Sequence, residues 1–286
     1  MAMVTRQKSF LGMLAMLGAS FCFSLGGLLM KLTPWNPLAI NGARNLIASL
    51  VIGSYILLTH HRLKWNKTVF VGAMCMAGVT TLFAMANKLT TAGNATILQY
   101  TAPIWIVVLL FLFFGKLPSK LELLSIALVL AGISCFFFES LSAGRFLGDF
   151  LGLLSGIFYA GVYMLNSFEK GDALSSLFFG QLFCGVFLTP LVVLETDFSR
   201  NVLLAVFVLG AIQVGLAYIL FSIGTRYTSP VTASIINAIE PILNPVLVAI
   251  FYGETLGKGA VMGAVIVIGA VLFYNLGLLF WHPKEA

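Results

Sequence analysis

The stretch NKLTTAGNATILQYTAP, residues 87–103, has a degenerate counterpart in TRYTSPVTASIINAIEP, residues 225–241. An offset of 138 residues superimposes the two stretches and pairs Pro103 with Pro241. Each proline lies about ten residues inside an apolar segment, where it removes a helical hydrogen bond and frees a carbonyl group. The shared prolines indicate an internal duplication and predict a break in each of the two helices.

The duplication extends towards the N-terminus of each copy with nearly the same register. An offset of 137 residues pairs Arg44 with Gln181. We therefore divide the chain into two repeats, residues 1–140 and residues 141–286.

The composition excludes a water-soluble domain. Of the 286 residues, 60% are hydrophobic and only 9% are charged, and the mean hydropathy is +1.03. A soluble domain of this length needs far more charged surface. The hydrocarbon core of a membrane is thus the solvent in which this chain folds.

Charged and turn-forming residues divide the chain into ten apolar segments, each close to the roughly 20 residues that a helix needs to cross a bilayer. The predicted fold is an all-α polytopic membrane protein of ten transmembrane helices. Because each repeat has an odd number of spans, the second enters the membrane from the opposite side, and such inverted repeats recur in secondary transporters. The predicted spans are 9–30, 37–59, 68–87, 92–114, 119–138, 147–167, 173–194, 202–224, 230–252 and 257–281.

Lysine and arginine predict the orientation in the membrane. With the N-terminus in the cytoplasm, ten basic residues lie on the inner side and five on the outer side, and the loop HHRLKWNK at 60–67 contributes most of the excess. Cytoplasmic loops carry such an excess. We expect a bacterial inner-membrane protein with both termini in the cytoplasm, and we expect no nucleic-acid partner.

The chain also resembles a known family. The pair Glu240 and Pro241, followed by FYGETLGKGAVMGAVIVIGAVL at 251–272, is similar to the signature of the EamA family in the drug/metabolite transporter superfamily. NPLAINGARNLIASL at 36–50 and TAPIWIVVLLFLFFGK at 101–116 resemble that family's second and fourth spans. The resemblance implies a central pocket between the first four spans of each half. It also implies export or exchange of amino acids and related metabolites, by alternating access.

Glu240 is the acidic residue that we place nearest the middle of the membrane. An ionisable group is costly to bury there and by default indicates function. Asn237, Glu240 and Asn244 fall on one helical face, and we predict that they bind substrate and that Glu240 couples transport to protons or another cation. The alternative is a structural cap, in which the carboxylate accepts hydrogen bonds from backbone amides freed near Pro241.

Asn41, Arg44 and Asn45 form a second polar stripe, in the second span. A guanidinium group binds a carboxylate through a planar fork, so we predict a substrate site here. A helix-pairing arginine is the alternative. If Arg44 and Glu240 both face the cavity, a zwitterion such as an amino acid finds a partner for each charge. If only Glu240 does, an organic cation fits better, and import or exchange of a nutrient or cofactor becomes the alternative function.

Aromatic and amide side chains complete the predicted substrate site. Aromatic faces hold flat or cationic groups, although aromatic residues also pack in membrane helices without binding anything. For Gln181 and Gln213 we favour hydrogen bonds between helices. The predicted binding residues of this group are Gln99, Tyr100, Trp105, Tyr159 and Tyr163.

Small residues recur at every fourth position of the sixth span, at Gly148, Gly152, Gly156 and Ala160. Such a ridge lets two helices approach closely, within one bundle or between protomers. We favour packing within the bundle.

Motifs of other membrane functions are absent from the sequence. No P-loop occurs, so a gradient must drive transport. The three histidines lie in loops or near the C-terminus, and no catalytic or metal-binding constellation falls in the spans, so we expect no enzyme activity, metal or cofactor. A channel would need repeated filter loops or a charged ring, and neither occurs. The expected partners are a small-molecule substrate, protons and the lipid bilayer.

Overall fold

The computed structural model of the protein describes residues 2–90, 92–136, 138, 146–252 and 257–281. Every regular element within these residues is helical, and the helices form spans that we number TM1 to TM10. Their bounds are Ala2–Ser24 and Gly26–Lys31 (TM1), Pro37–Leu58 (TM2), Lys67–Leu89 (TM3), Ala92–Gln99 and Ala102–Phe114 (TM4), Lys120–Phe136 (TM5), Phe146–Tyr163 (TM6), Ala173–Val193 (TM7), Arg200–Val208, Leu209–Leu216 and Ala217–Tyr227 (TM8), Pro230–Asn237 and Glu240–Tyr252 (TM9), and Lys258–Trp281 (TM10).

Nine of these spans, within the described part of the chain, are at least 18 residues long and apolar enough to cross a bilayer. TM5 has 17 residues, or about 26 Å at 1.5 Å per residue, which is the short end of the range for a membrane-spanning helix. With TM5 included, the predicted ten-helix fold is confirmed.

The bounds of TM6 differ from the prediction. We expected a span over 147–167, but the helix ends at Tyr163. Beyond it the Asn166 side chain accepts a hydrogen bond from the backbone N–H of Ala173 and donates one to Thr225. These contacts turn the chain towards TM7 four residues earlier than hydropathy alone suggests.

Side chains and one glycine define several helix ends. Asn66 accepts a hydrogen bond from the N–H of Val69 at the start of TM3, and Ser229 accepts one from Thr232 at the start of TM9. Each bond satisfies an amide that a helix N-terminus leaves without a partner. Gly115 ends TM4 in the left-handed region, with φ of 64°, which glycine adopts without strain.

TM4 and TM9 are both broken, as the prolines predict. The breaks fall at Tyr100 and Thr101 in TM4 and at Ala238 and Ile239 in TM9, positions that the 138-residue offset equates. Hydrogen bonds to the carbonyl three residues earlier satisfy the amides of Thr101 and Ala238, at 3.3 and 3.2 Å. The predicted prolines stand second in the following half-helices, where a missing N–H costs little.

The packing of the spans obeys the symmetry of the repeat. TM3 packs against TM6 and TM7, as TM8 packs against TM1 and TM2. TM4 packs against TM6, as TM9 packs against TM1, while TM2 packs against TM7 and TM5 against TM10. If every helix is replaced by its counterpart five spans away, the same set of contacts results. An axis that relates two five-helix repeats requires this equivalence. Because five is odd, the repeats have inverted topology.

The glycine ridge of TM6 faces the broken TM4, which confirms its predicted use within the bundle. A Cβ atom added at Gly156 would lie 2.8 Å from the carbonyl oxygen of Leu98 and 2.9 Å from that of Gln99. No larger residue at Gly156 would let the TM4 backbone come so close. TM6 therefore fixes the position of the break that carries Tyr100.

Candidate functional site

A cavity of about 80 Å³ lies at the centre of the bundle, where both broken helices meet. Ligand pockets for small molecules usually measure about 300 Å³ or more, so this one has room for only two or three water molecules at about 30 Å³ each. Polar groups from both repeats and several aromatic rings form its wall. The lining residues are Phe23, Arg44, Val79, Thr80, Phe83, Gln99, Tyr159, Gln213, Val214, Tyr218 and Glu240.

The Glu240 carboxylate is the acidic group of this cavity, and it joins the two helix breaks. Its Oε2 atom accepts hydrogen bonds from the Tyr100 hydroxyl group at 2.6 Å and from Asn237 Nδ2 at 3.2 Å. Asn237 Nδ2 also donates to the Tyr159 hydroxyl group at 2.9 Å, and its Oδ1 accepts from the Ser20 hydroxyl group at 2.9 Å. One buried network therefore ties TM9 to TM1, TM4 and TM6.

This arrangement differs from the structural cap that was the alternative for Glu240. Both hydrogen bonds that the described residues donate to the carboxylate come from side chains, and both end on Oε2. Among these residues Oε1 has no donor, although it is not sealed away from the cavity. Glu240 thus has an acceptor oxygen available for a ligand.

Arg44 supplies the basic group, and the polar stripe of TM2 orients it. Its Nε and Nη2 atoms donate to Asn41 Oδ1 at 3.2 and 2.9 Å. Asn41 is held in turn by a 2.9 Å hydrogen bond from Asn45 Nδ2 to the same oxygen and by a 3.3 Å contact of its Nδ2 with Cys184 Sγ. Among the described residues no carboxylate lies within 4.0 Å of the Arg44 guanidinium group. A half-buried arginine with no acidic partner there suits an anionic ligand group.

The predicted site residues divide into three groups. Four of them line the cavity: Arg44, Gln99, Tyr159 and Glu240. Three others stand directly behind these residues and hydrogen-bond to them: Asn41, Tyr100 and Asn237. The remaining four, Asn45, Trp105, Tyr163 and Asn244, do not reach the cavity wall.

Two of these four make contacts elsewhere in the bundle that account for their positions. Trp105 Nε1 donates to the Thr101 hydroxyl group at 3.2 Å, which stabilises the break in TM4. Asn244 lies against Gly27 of TM1. The break at Ala238 and Ile239 separates Asn237 from the half-helix that contains both Glu240 and Asn244.

Several cavity residues were not predicted, because they lie in ordinary apolar stretches: Phe23, Val79, Thr80, Phe83, Val214 and Tyr218. For Gln213 we predicted a hydrogen bond between helices. Its Nε2 donates to the Phe23 carbonyl oxygen of TM1, at 3.4 Å. Its Oε1 has no partner among the described residues. Gln213 lies in the widened π-helical segment Leu209–Leu216, a feature that is frequent at functional sites.

Aromatic rings close one side of the cavity. Phe23 packs on Tyr218 with ring centroids 4.8 Å apart, and Tyr218 packs on Phe221 at 5.8 Å. Phe221 contacts Tyr163 at 5.0 Å, and Tyr163 contacts Tyr159 at 4.8 Å. Tyr163, predicted to bind substrate, instead belongs to this continuous aromatic layer.

A second cavity, of about 910 Å³, lies beyond this layer at the end of the bundle that carries the loop 60–67. Along TM8, Tyr218 lines the first cavity, Phe221 lies within the layer and Ser222 lines the second cavity. The layer therefore separates the two spaces. The basic residues that line the second cavity are His60, His61, Arg62, Lys64 and Arg226.

Asp172 joins the two repeats at this end of the bundle. Its Oδ2 atom lies 2.9 Å from Nε2 of His61 and accepts a hydrogen bond from the N–H of Ser175. Burial alone would raise the pKa of the Asp172 carboxyl group, but the hydrogen bonds from Ser175 and His61 outweigh burial and hold this pKa below its ordinary value. The carboxylate is thus ionised at neutral pH and links the TM2–TM3 loop to TM7.

Comparisons with known proteins agree with this architecture. A sequence model of the EamA-like transporter family matches the chain twice, over residues 10–138 and 146–276. An uncharacterized transporter of Archaeoglobus fulgidus is 26% identical over 193 residues, which cover 66% of this chain and 69% of that protein. A known crystal structure has the same fold, with a TM-score of 0.81 over 93% of this chain and 98% of the other, at 17% identity.

Proposed function

Because the chain belongs to the EamA-like transporter family, within the drug/metabolite transporter superfamily, we propose that it exports or exchanges zwitterionic metabolites, amino acids above all. The observation that carries this proposal is that Arg44 and Glu240 line one cavity. An α-carboxylate would pair with the guanidinium group, and an α-ammonium group would pair with the free oxygen of the carboxylate.

The charges of the site favour a zwitterion over other ligands. A simple organic cation would match Glu240 and the aromatic rings but would leave the Arg44 guanidinium group without a counter-ion in a site of low dielectric constant. A simple anion would leave the Glu240 carboxylate without a counter-ion. A ligand that carries both charges pairs with both groups. The binding free energy therefore favours a zwitterion over a singly charged ligand, because unpaired charges are costly to bury.

The small size of the cavity and the symmetry of the two repeats support transport by alternating access. At about 80 Å³ the cavity is well below the roughly 300 Å³ of a usual ligand pocket, so the helices around it must separate before larger amino acids can bind. The broken helices TM4 and TM9 are equivalent in the two repeats and meet at Glu240. Exchange of the conformations of the two halves would open the cavity to one side and then to the other.

Glu240 is also the proposed coupling residue. A proton and a substrate ammonium group compete for the same carboxylate, so binding of one favours release of the other. Such competition produces exchange of substrate for protons across the membrane. The excess of basic residues places both termini in the cytoplasm of a bacterial cell in this proposal, with the chain in its inner membrane.

Efflux from proteoliposomes tests the proposal. The vesicles are loaded with a mixed pool of amino acids, organic cations, nucleosides and carboxylates, and their contents are measured by mass spectrometry with and without a pH gradient. We expect selective loss of zwitterions, faster with the gradient, and no loss from vesicles without protein. Selective loss of organic cations would instead support the nutrient or cofactor exchanger, and loss of neither class would contradict both functions.

A further inference from the structure

The Gln181 side chain of TM7 is buried without a hydrogen-bonding partner. Its exposed fraction is 0%, and neither Nε2 nor Oε1 has a partner among the described residues. A primary amide that is sealed in a membrane protein without hydrogen bonds destabilises the conformation that contains it. Gln181 should therefore be better accommodated in some other conformation of the transporter.

TM7 lies directly against TM2 and runs in the opposite direction. A Cβ atom added at Gly42 would lie 2.8 Å from Leu188 Cβ, and one added at Gly53 would lie 3.1 Å from the ring of Phe178. Residues early in TM2 therefore contact residues late in TM7, and residues late in TM2 contact residues early in TM7. The two helices are equivalent in the repeat, so the symmetry axis passes through their interface.

Arg44 and Gln181 are equivalent residues on opposite sides of this interface. The helices are in close contact where Gly185 meets Leu46, since a Cβ atom at Gly185 would lie 2.7 Å from the Leu46 nitrogen. Arg44 precedes this point in TM2, and Gln181 precedes it in TM7. Because the helices are antiparallel, the two side chains lie towards opposite faces of the membrane. Arg44 lines the cavity, whereas Gln181 is sealed.

We propose that Gln181 is the substrate-binding counterpart of Arg44 in the opposite state of the transport cycle. When the two halves exchange conformations, TM7 acquires the surroundings that TM2 has now, and Gln181 is uncovered on the side of the bundle that carries the N-terminus. The inference rests on the proposed function, since it requires alternating access.

An amide at this position suits a site that must release its ligand. Nε2 donates to a carboxylate and Oε1 accepts from an ammonium group, so Gln181 can bind either end of a zwitterion. Hydrogen bonds to a neutral amide are weaker than those to a guanidinium group. Arg44 therefore provides the stronger contact on one side of the membrane and Gln181 the weaker contact on the other.

Accessibility of single cysteines tests the proposal. The four native cysteines are free in the structure and are replaced by alanine, and Gln181→Cys and Arg44→Cys are introduced separately. Each variant is treated with a membrane-impermeant maleimide in vesicles of both orientations. We expect Gln181→Cys to react at least tenfold faster from the side of the N-terminus and Arg44→Cys to react faster from the opposite side. An equimolar mixture of the common amino acids should slow the reaction of Gln181→Cys, which keeps Arg44 and Glu240.

The outcomes separate this inference from the proposed function. If Gln181→Cys reacts from neither side while the cysteine-free parent still releases amino acids from proteoliposomes, the inference is wrong and the proposed function stands. If the cysteine-free parent, which keeps Arg44 and Glu240, releases no amino acids from proteoliposomes, the proposed function fails and the inference fails with it. Gln181→Leu provides a measurement that does not depend on labelling. Loss of an unpaired amide should raise the thermal unfolding temperature in detergent, and a fall would show that Gln181 has structural hydrogen bonds.

Discussion

The hydroxyl group of Tyr100, at the break in TM4, donates a 2.6 Å hydrogen bond to the carboxylate of Glu240, at the break in TM9. The two residues belong to different repeats, and the repeat offset places them two positions apart within equivalent breaks. A change in the state of the carboxylate therefore acts on the breaks of both helices at once. In the proposed function, protonation of Glu240 acts on the conformation through this contact.

Glu240→Gln should abolish the pH dependence of transport while leaving the protein folded. Glutamine is nearly isosteric and can still accept from Tyr100 and Asn237, but it cannot bind or release a proton. Transport by proteoliposomes is measured with and without a pH gradient, and folding is checked by gel filtration and thermal unfolding. Glu169→Gln, at an exposed loop position, is the matched control and should retain the response. A response in Glu240→Gln equal to that of the control would rule out the coupling role.

Arg44→Ala should impair substrates that carry a carboxylate more than those that do not. The guanidinium group is the basic group of the cavity wall, and a charge-assisted hydrogen bond contributes about 1.5–3 kcal/mol, equivalent to a roughly tenfold to hundredfold change in affinity. Competition is measured with an amino acid and with the amine that lacks only its carboxylate. We expect a large loss for the amino acid and little change for the amine.

Arg200→Ala, which removes an exposed basic residue at the start of TM8, is the control for the Arg44 experiment. It lowers the charge of the protein equally and should leave both compounds unaffected. Equal loss for the amino acid and the amine in Arg44→Ala would show that this arginine pairs helices and does not bind substrate.

The parts of the fold that the sequence predicts are those set by local chemistry. Proline at positions 103 and 241 removes backbone donors, so the breaks were predictable from the chain alone, and the repeat fixed their equivalence. Asn244 follows Glu240 by one turn in the same half-helix, yet it contacts Gly27 of TM1 and does not line the cavity, because the packing of neighbouring helices decides which part of a helical face reaches a cavity.

The residues that the sequence did not reveal depend on how whole helices pack. Phe23 and Tyr218 lie in stretches with no polar periodicity, so nothing local marks the face that meets the cavity. Thr80 is followed directly by Thr81, and nothing in the sequence shows which of the two faces the cavity. Their positions follow from the contacts of TM1 with TM8 and of TM3 with TM6, which are long-range features of the bundle.

Asp172→Asn should lower stability at neutral pH but have little effect in acid. The pKa of Asp172 is lower in the folded protein than its ordinary value of 3.8. The folded state therefore binds the proton less well than the unfolded state, and the ionised carboxylate stabilises the fold above that ordinary value. This stabilisation is lost as the pH falls through the lower pKa of the folded state.

Thermal unfolding in detergent checks this prediction. Asparagine keeps the hydrogen bond to the N–H of Ser175 at the start of TM7, so the variant isolates the charge of Asp172. The difference in unfolding temperature between wild type and variant should be largest at neutral pH and should shrink below about pH 4. A difference that does not vary with pH would show that the carboxylate acts only as a helix cap.

Gly156→Ala should destabilise the protein by about 1–3 kcal/mol, the usual effect of forcing an extra group into a packed core. The added Cβ atom would lie 2.8 Å from the carbonyl oxygen of Leu98, and backbone at a helix break cannot yield as a flexible side chain can. Gly269→Ala is the matched control, because a Cβ atom there meets nothing within 4 Å, and alanine favours the helix by about 1 kcal/mol. We expect the unfolding temperature to fall for Gly156→Ala and to stay level or rise for Gly269→Ala. Equal behaviour of the two variants would mean that TM6 does not hold the TM4 break in place.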